Sequence, residues 1–399
     1  RYRKTNSMKT VLYIYHTSSI GGGSYCLLNI LKSIDRTYIR PVVLLKEDGP
    51  LVAEIKALDI PTYFLSSLST VPYNVSTLTP RKIKNACSLI SSLSKYETIL
   101  NEINPDVVYV NTMMLYPYLR PAKKKRIKTI MHIREHWERG EHSWQRNIAL
   151  SHIQKYADEI IAINRYSASM IENYGRKATI VYDWINMYER FEYMPLEDIF
   201  KEDIKRIKTF LYLGGMQKSK GVLEVLTAFN SLTNDNYRLL ALWINVDYKP
   251  SGIKSLIKTL LKAFNYKSHS ERVIDIIQSD PRIKCIKSTY NIRHLYEQAY
   301  CVLSYFTIPH ANLSLAESII CNTLNIAALT DESLEYSNEG ELALLYKENS
   351  FEEFMNILNN IENIYNDYNL RLQKNSKLIE QKFSPERNIS QLNHIINLI

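Results

Sequence analysis

This chain of 399 residues has little cysteine and no long apolar run. Its five cysteines, Cys26, Cys87, Cys285, Cys301 and Cys321, form no C-x-x-C pair and have no metal-ligand spacing with the nine histidines. Scattered cysteines of odd number are typical of reduced core residues in a cytosolic protein. The sequence has no stretch of about 20 apolar residues and nothing that resembles a signal peptide. It therefore predicts a cytoplasmic location without a membrane span.

Positive charge is in excess. The formal net charge is +9, from 50 Lys and Arg against 41 Asp and Glu. Basicity of this size fits a phosphate-bearing substrate, a nucleic acid or an anionic lipid surface, and by itself it selects none of them. Because the sequence carries no zinc finger, no recognition-module signature and no long basic arm, we predict no nucleic-acid partner.

Short apolar runs alternate with helix-like stretches along the whole chain, which is the pattern of parallel sheets joined by crossover helices. A chain of this length can bury two cores, because single cores stop growing at about 250–300 residues. The predicted strands are Thr10–Tyr15, Pro41–Leu45, Asp106–Val110, Thr129–His132, Glu159–Ile163, Thr179–Tyr182, Thr209–Leu213, Arg238–Asn245, Ile283–Ile286, Cys301–Tyr305, Leu324–Leu329 and Leu342–Tyr346.

We predict two doubly wound α/β domains from this alternation. The first spans residues 8–190, with Met8 as the expected natural start, and the second spans residues 205–384. The charged segment WINMYERFEYMPLEDIFKEDIKRIK lacks a convincing strand, so we predict a linker near Asn186–Lys208. Residues 385–399 are predicted to form a closing helix, because Ser384 is a good cap and Pro385 fits the first helical position.

Two loops of the second domain open directly into helices. One lies in LYLGGMQKSKGVLEVLTAF, from Leu211, and the other in SYFTIPHANLSLAESIICN, from Ser304. Backbone N–H groups at a helix N-terminus attract phosphate. Lys220 adds a cation before the first helix, and Glu317 adds a carboxylate that can accept hydrogen bonds from sugar hydroxyls. Together the two loops predict a nucleotide-sugar site.

Several motifs, in this order, resemble a retaining glycosyltransferase of the GT-B fold, glycosyltransferase family 4. They are SSIGGGSYCLLNIL, DVVYVNT, MHIREHW, ADEIIAIN, YDWIN, GGMQKSKG and the helix that ends at Glu317, and they span the chain from about Met8 onward. The resemblance implies two Rossmann-like doubly wound parallel-sheet domains facing a cleft. It also implies an acceptor domain followed by a donor domain, with a C-terminal helix packing back toward the N-terminal domain.

The activity that the resemblance implies is transfer of a sugar, with retention, from a nucleotide-diphosphate donor to a glycan or lipid-linked acceptor in surface polysaccharide biosynthesis. No D-x-D metal site follows a predicted strand. Transfer without a metal is therefore expected, and no cofactor is expected, since the nucleotide sugar is a substrate.

Two segments of the first domain carry roles implied by the resemblance. The loop of Gly21, Gly22 and Gly23 would lie near the acceptor and the donor phosphates, where a Cβ would clash. A tight turn that needs positive φ is the alternative. His132 ends an apolar strand and would be the catalytic histidine beside the donor sugar, although a structural histidine is also open.

The two residues that follow this strand, Arg134 and Glu135, would either position acceptor groups or pair with each other. The sequence alone leaves both alternatives open.

The donor-binding residues implied by the resemblance lie in the first loop and at the start of the second helix, and two of them carry catalytic side chains. They are Gly214, Gly215, Lys220, Asn312, Leu313 and Glu317. Lys220 would stabilise the negative charge that develops on the leaving phosphate. The chain departs from the family in having Gly215 where many relatives have arginine, and Pro309 where they have a first glutamate.

These departures leave two alternatives open. The first is a catalytically degenerate GT-B protein that binds a nucleotide sugar or glycan without turnover. The second is a nucleotide-sugar epimerase, for which His132 and His310 would be the candidate bases.

Two basic segments, PAKKKRIK from Pro121 and IKSLIKTLLKAF from Ile253, fit loose contact with the anionic inner face of the cell membrane. A solvated charge stripe on a packed helix explains them equally well.

Overall fold

The structure is a computed structural model that describes residues 8–71, 80–137, 143–185, 193–246, 267–286, 292–308 and 311–399, the side chains of residues 80–87 and 143 excepted. The chain divides into two compact units. The first unit is Arg1–Ile185 together with Phe383–Ile399, and the second unit is Asn186–Lys382. Each unit is a parallel sheet with helices, so the predicted pair of doubly wound α/β domains is confirmed.

The first unit contains a seven-stranded parallel sheet in the order β3-β2-β1-β4-β5-β6-β7. Its strands are β1 Lys9–Ile14, β2 Ile39–Leu45, β3 Thr62–Phe64, β4 Val107–Val110, β5 Lys128–Ile133, β6 Glu159–Ala162 and β7 Thr179–Ile180. Its helices are α1 Gly22–Ser33, α2 Pro50–Lys56, α3 Pro80–Ile103, α4 Leu119–Lys124, α5 Ser143–Tyr156 and α6 Arg165–Glu172, with a 3-10 turn at Met113–Tyr118.

The second unit contains a six-stranded parallel sheet in the order β10-β9-β8-β11-β12-β13. Its strands are β8 Lys208–Tyr212, β9 Tyr237–Leu242, β10 Ile283–Ile286, β11 Cys301–Leu303, β12 Leu324–Leu329 and β13 Leu344–Lys347. Its helices are α7 Leu196–Phe200, α8 Val222–Asn230, α9 His269–Ser279, α10 Ile292–Gln298, α11 Leu313–Ile320, α12 Asp331–Tyr336, α13 Phe351–Asn359 and α14 Ile361–Lys382.

The strand order fixes where ligands fit in each unit. In the first sheet the order reverses between β1 and β4, and in the second sheet it reverses between β8 and β11. In open parallel sheets the crevice for a ligand lies beyond the carboxyl ends of the strands at such a reversal. The glycine loop follows β1, the GGMQKSKG loop follows β8, and α11 follows β11. The fold therefore places each predicted motif at the switch point of its own sheet.

The last helix, α15 Pro385–Leu398, packs on the first unit, as predicted. Its apolar residues Leu392, Ile395 and Ile396 join the core on one face of the first sheet. Lys9 Nζ donates to the Asn397 carbonyl at 2.8 Å. Tyr182 N donates to Asn388 Oδ1 at 3.0 Å.

Each predicted run overlaps an observed strand, whereas the short strand β3 was not predicted. The basic segment from Ile253 lies outside the described residues. Within the described ranges, no helix combines the length and the apolar character needed to cross a membrane.

Candidate functional site

The turn after β8 is shaped by glycines and one tyrosine. Tyr212 is 1% exposed, and its hydroxyl donates to the Lys220 carbonyl at 3.0 Å. A Cβ at Gly214 would lie 2.0 Å from that hydroxyl, so only glycine leaves room for the contact. Gly215 has a φ of +60°, which favours glycine. The Tyr212 side chain therefore packs against Gly214 and hydrogen-bonds the far end of the predicted donor loop.

The end of this turn is a second place where a side chain cannot fit. Gly221 precedes α8 with a φ of +64°, and a Cβ there would lie 2.0 Å from the Tyr305 carbonyl oxygen. Thr307 N donates to the Ser219 carbonyl at 3.0 Å, which joins this turn to the loop after β11. Close backbone packing thus brings the two predicted loops together.

Lys220 and Glu317 interact electrostatically in the second unit without forming an ion pair. Both side chains are half-buried. Burial lowers the pKa of Lys220, and the Glu317 carboxylate partly offsets that effect. Burial raises the pKa of Glu317. The Tyr296 hydroxyl donates to Glu317 Oε2 at 2.8 Å, and this hydrogen bond and the Lys220 charge both oppose the rise in the pKa. Of the described residues, none forms an ion pair or hydrogen bond with Lys220 Nζ, so the ammonium retains its donors.

Asn312 adds an unused donor before α11. It is 2% exposed, and its Oδ1 accepts a hydrogen bond from Ser314 Oγ at 2.6 Å. Its Nδ2 has no partner among the described residues. A buried amide without a partner is costly, and a bound ligand or water usually satisfies it. Leu313 begins the helix, so backbone N–H groups and the Asn312 amide are available at the same place. Pro309 and His310 lie outside the described residues.

The glycine loop of the first unit is packed on Tyr15. A Cβ at Gly23 would lie 2.6 Å from the Tyr15 hydroxyl, whereas Cβ atoms at Gly21 and Gly22 would meet nothing within 4 Å. None of the three has positive φ, so a turn of that kind does not explain them. Gly21 N donates to Ser24 Oγ at 2.8 Å, which fixes the start of α1. Gly21 and Gly22 are exposed, and their backbone is open to a ligand.

His132 lies inside the first unit near the carboxyl end of β5. It is 2% exposed, and its Nδ1 shares a hydrogen bond with the Tyr109 hydroxyl at 2.7 Å. Its Nε2 has no partner in the described part of the chain. Burial and the Arg134 charge hold the pKa of His132 well below its usual value. The side chain is therefore a neutral imidazole with one nitrogen left for another group.

Arg134 and Glu135 do not pair with each other. Arg134 Nη2 forms an ion pair with Asp183 Oδ2 at 2.5 Å, and the two side chains are 7% and 14% exposed. Arg134 Nη1 has no partner among the described residues. Glu135 instead accepts hydrogen bonds from the Thr112 hydroxyl and from Met113 N, the latter at 2.9 Å. Glu135 thus fixes the turn after β4, and Arg134 retains an unused donor.

Sequence reasoning missed two residues around this centre. Asp183, in the YDWIN motif, had no predicted role although it neutralises Arg134. Asn111, directly after β4, is 0% exposed, and both its Oδ1 and its Nδ2 lack partners among the described residues. The register of β4 and β5 pairs Val110 with Met131, so the next pair along the strands would be Asn111 and His132. A polar residue at the end of a buried strand was the available signal.

The two centres differ in the chemistry that they can perform. The second unit offers backbone N–H groups, one ammonium and one carboxylate, a set that can bind a diphosphate and a hydroxylated sugar. The first unit offers an amide, a neutral imidazole and a neutralised guanidinium, which can bind hydroxyl groups. Within the described residues no group of three or more His, Cys, Asp or Glu could hold a metal ion.

Comparisons with known proteins identify the fold and a family match in the first unit. The two-domain architecture is that of the GT-B glycosyltransferases. Residues 20–187 match the family described as Glycosyltransferase Family 4, which confirms the resemblance to GT-B glycosyltransferases drawn from the motifs. A search of curated proteins finds no match to this chain.

Solved structures with the same fold have low sequence identity to this chain. Anabaena HepE in complex with UDP-glucose is 16% identical, with a TM-score of 0.73, and the match covers 98% of this chain and 100% of HepE. A glycosyltransferase from Rickettsia africae is 15% identical, with a TM-score of 0.68 and 97% of each chain covered. An E. coli structure described as trehalose-6-phosphate bound with UDP-2-fluoro glucose is 11% identical, with a TM-score of 0.69, covering 98% of this chain and 99% of that one.

Proposed function

We propose that this protein is a glycosyltransferase that moves a sugar from a nucleoside diphosphate donor to an acceptor hydroxyl with retention of configuration. The observation that carries the proposal is the pair of Lys220 and Glu317 at the switch point of the second sheet, beside two loops that lead into helices. The match of residues 20–187 to Glycosyltransferase Family 4 supports it. The complexes of HepE with UDP-glucose and UDP support a nucleotide-sugar donor.

The proposed donor site works by stabilising charge. When the glycosidic bond breaks, negative charge develops on the leaving diphosphate, and the Lys220 ammonium stabilises it more in the transition state than in the ground state. A unit-charge pair at 4 Å is worth about 4 kcal/mol at an intermediate dielectric, about a thousandfold in rate. The backbone N–H groups of Gly214, Gly215 and Leu313 and the Asn312 amide would bind the diphosphate. Glu317 would accept hydrogen bonds from the ribose hydroxyls.

Deprotonation of the acceptor needs no metal in this scheme. The departing phosphate takes the proton of the acceptor hydroxyl on the face from which the leaving group departs, so configuration is retained. His132, as a neutral imidazole, would hydrogen-bond the donor sugar through Nε2. Arg134 Nη1 and the backbone of Gly21 to Gly23 would position the acceptor, a glycan or lipid-linked sugar, in the assembly of a surface polysaccharide.

The experiment is a comparison of Lys220→Ala with the unaltered protein on a panel of UDP-, ADP- and GDP-sugars. We expect the unaltered protein to hydrolyse one donor slowly, and Lys220→Ala to lower kcat/KM by about a hundred- to a thousandfold. Lys205→Ala removes an exposed lysine of the same unit and should leave hydrolysis unchanged. Full activity of Lys220→Ala would contradict the proposal.

The same assay separates the two alternatives. A binder without turnover would give thermal stabilisation by a nucleoside diphosphate but no hydrolysis of any donor. That outcome has a structural basis, because Gly215 is buried with left-handed φ where many relatives have arginine. An epimerase would convert the donor sugar without acceptor and without release of the nucleoside diphosphate. Only release that an acceptor accelerates supports transfer.

A further inference from the structure

Trp243 has a backbone conformation that bulky residues rarely adopt. It comes directly after β9, and its φ is +60°. For a large side chain this left-handed region is a genuine outlier, and such strain collects at ligand sites, where the surrounding structure imposes it. Glycine or asparagine would fit this turn without strain. The tryptophan thus takes this conformation against its backbone preference, which makes its side chain a candidate contact for a ligand.

The side chain is also more exposed than an aromatic of this size usually is. Trp243 is 40% exposed, whereas Trp137 is 1% and Trp184 is 5% exposed. It is the one tryptophan in the sequence of the second unit. An indole ring at the surface gains free energy when a flat apolar partner covers it.

The position of Trp243 indicates what covers it. Strand β9 lies beside β8 in the sheet, so Trp243 and the GGMQKSKG loop leave the same edge. A Cβ built at Gly215 would lie 3.3 Å from the Trp243 carbonyl oxygen and 3.6 Å from its Cβ, so the two backbones are packed together. His269 Nε2, at 3.1 Å from the Met216 carbonyl oxygen, holds the same loop from α9. Trp243 is thus in direct contact with the loop that we propose binds the diphosphate.

We propose that the indole of Trp243 is the stacking platform for the base of the nucleoside diphosphate, an inference that rests on the proposed function. A base attached to a diphosphate at the Gly214–Gly215 turn presents a flat face of the right size beside that loop. Stacking on an aromatic ring accepts every base, because every base has a π-face. The platform therefore supplies affinity for nucleosides in general, and the choice among bases falls to hydrogen-bonding groups elsewhere.

The test measures dissociation constants by calorimetry for UDP, ADP, GDP and inorganic pyrophosphate. We expect Trp243→Ala to weaken the nucleoside diphosphates by about ten- to a hundredfold, in line with base–aromatic stacking. Trp243→Phe, which keeps a stacking ring, should remain within about fivefold of the unaltered protein. Pyrophosphate has no base, so its dissociation constant should change by less than about twofold in both variants.

Two further variants control for folding and for general loss of an exposed ring. Trp243→Gly relieves the left-handed φ, so its melting temperature should equal or exceed that of the unaltered protein while its UDP affinity falls as in Trp243→Ala. Trp144→Ala removes the tryptophan of the first unit that is 56% exposed and should leave all four dissociation constants unchanged.

The outcomes separate the platform from the proposed function. UDP binding that is as tight in Trp243→Ala as in the unaltered protein would overturn the platform and leave the function standing. Equal losses for UDP and pyrophosphate would also overturn the platform, because the residue would then only shape the loop. If the unaltered protein binds neither the nucleoside diphosphates nor pyrophosphate, the platform and the proposed function are both overturned.

Discussion

The polar centres of the two units are built in opposite ways. In the first unit, the groups are side chains inside the fold: His132, Arg134 and Asn111 are buried, and Asp183 neutralises the Arg134 guanidinium. In the second unit, the groups are mostly backbone turns, and the cation of Lys220 is left without an ion pair among the described residues. A neutralised, enclosed centre suits hydroxyl groups, whereas a free ammonium beside open N–H groups suits a diphosphate.

This difference also predicts how each unit tolerates substitution. In the first unit the vulnerable atoms belong to side chains, since each buried polar group depends on a partner. In the second unit the vulnerable positions include glycines, since a Cβ at Gly214 or Gly221 would lie 2.0 Å from a neighbouring atom, closer than at any described glycine of the first unit. The substitutions below therefore test the comparison directly, starting with the largest effect expected on the free energy of unfolding.

Asp183→Ala should have the largest effect. It leaves the Arg134 guanidinium buried without a counter-charge, which should lower the free energy of unfolding by about 3–5 kcal/mol. Urea denaturation measures this loss. The control is Asp203→Ala, whose partner Arg206 is 85% exposed, and which should cost less than about 1 kcal/mol. A double variant with Arg134→Met should recover part of the loss. If Asp183→Ala costs no more than the control, the buried pair does not stabilise the first unit.

Gly221→Ala should come next, at about 3 kcal/mol. The substitution forces left-handed φ on an alanine and places its Cβ against the Tyr305 carbonyl oxygen, so the turn before α8 must move. Gly22→Ala provides the contrast in the first unit, because its Cβ would meet nothing within 4 Å, and it should stay within about 0.5 kcal/mol. Equal melting temperatures for the two variants would remove the distinction between the units.

Glu332→Gln should have a smaller and pH-dependent effect, because Glu332 is an enclosed side chain in the second unit and an exception to the comparison. It is 3% exposed, its Oε2 has no partner among the described residues, and burial raises the pKa of Glu332 to about 7. A raised carboxyl pKa means that the folded state disfavours the charged form. The free energy of unfolding should therefore fall by about 2–3 kcal/mol as the pH rises from about 5 to 8.

In Glu332→Gln the free energy of unfolding should not fall by this amount between about pH 5 and 8. The variant should therefore be more stable than the unaltered protein at about pH 8. Glu352→Gln, an exposed carboxylate of the same unit, should leave the pH dependence unchanged. Parallel pH curves for Glu332→Gln and the unaltered protein would show that Glu332 is ionised freely in the fold.

The sequence predicted the parts of the structure that depend on local pattern. Apolar runs such as the one within Asp106–Val110 are uninterrupted and fully buried, so they marked their strands. Strand β3 has three residues and partial exposure and could not be recognised. Lys220 and Glu317 were predicted to belong to one nucleotide-sugar site because each lies where a loop opens into a helix.

Contacts between distant segments could not be predicted in the same way. Arg134 and Asp183 are 49 residues apart, and no spacing rule links them. The adjacent Glu135 was an equally good partner by sequence, and only the fold directs it to Thr112 instead. The left-handed φ of Trp243 is likewise invisible in a strand-like run such as Arg238–Asn245.

The hydrogen bond from Tyr212 to the Lys220 carbonyl has a consequence for binding entropy. It connects strand β8 to the main chain of the lysine, so it restricts the conformations of the loop before any ligand arrives. A ligand then loses little affinity to the ordering of the loop. The entropy of ordering the loop is lost when the protein folds, so the loop is preorganised when the diphosphate binds.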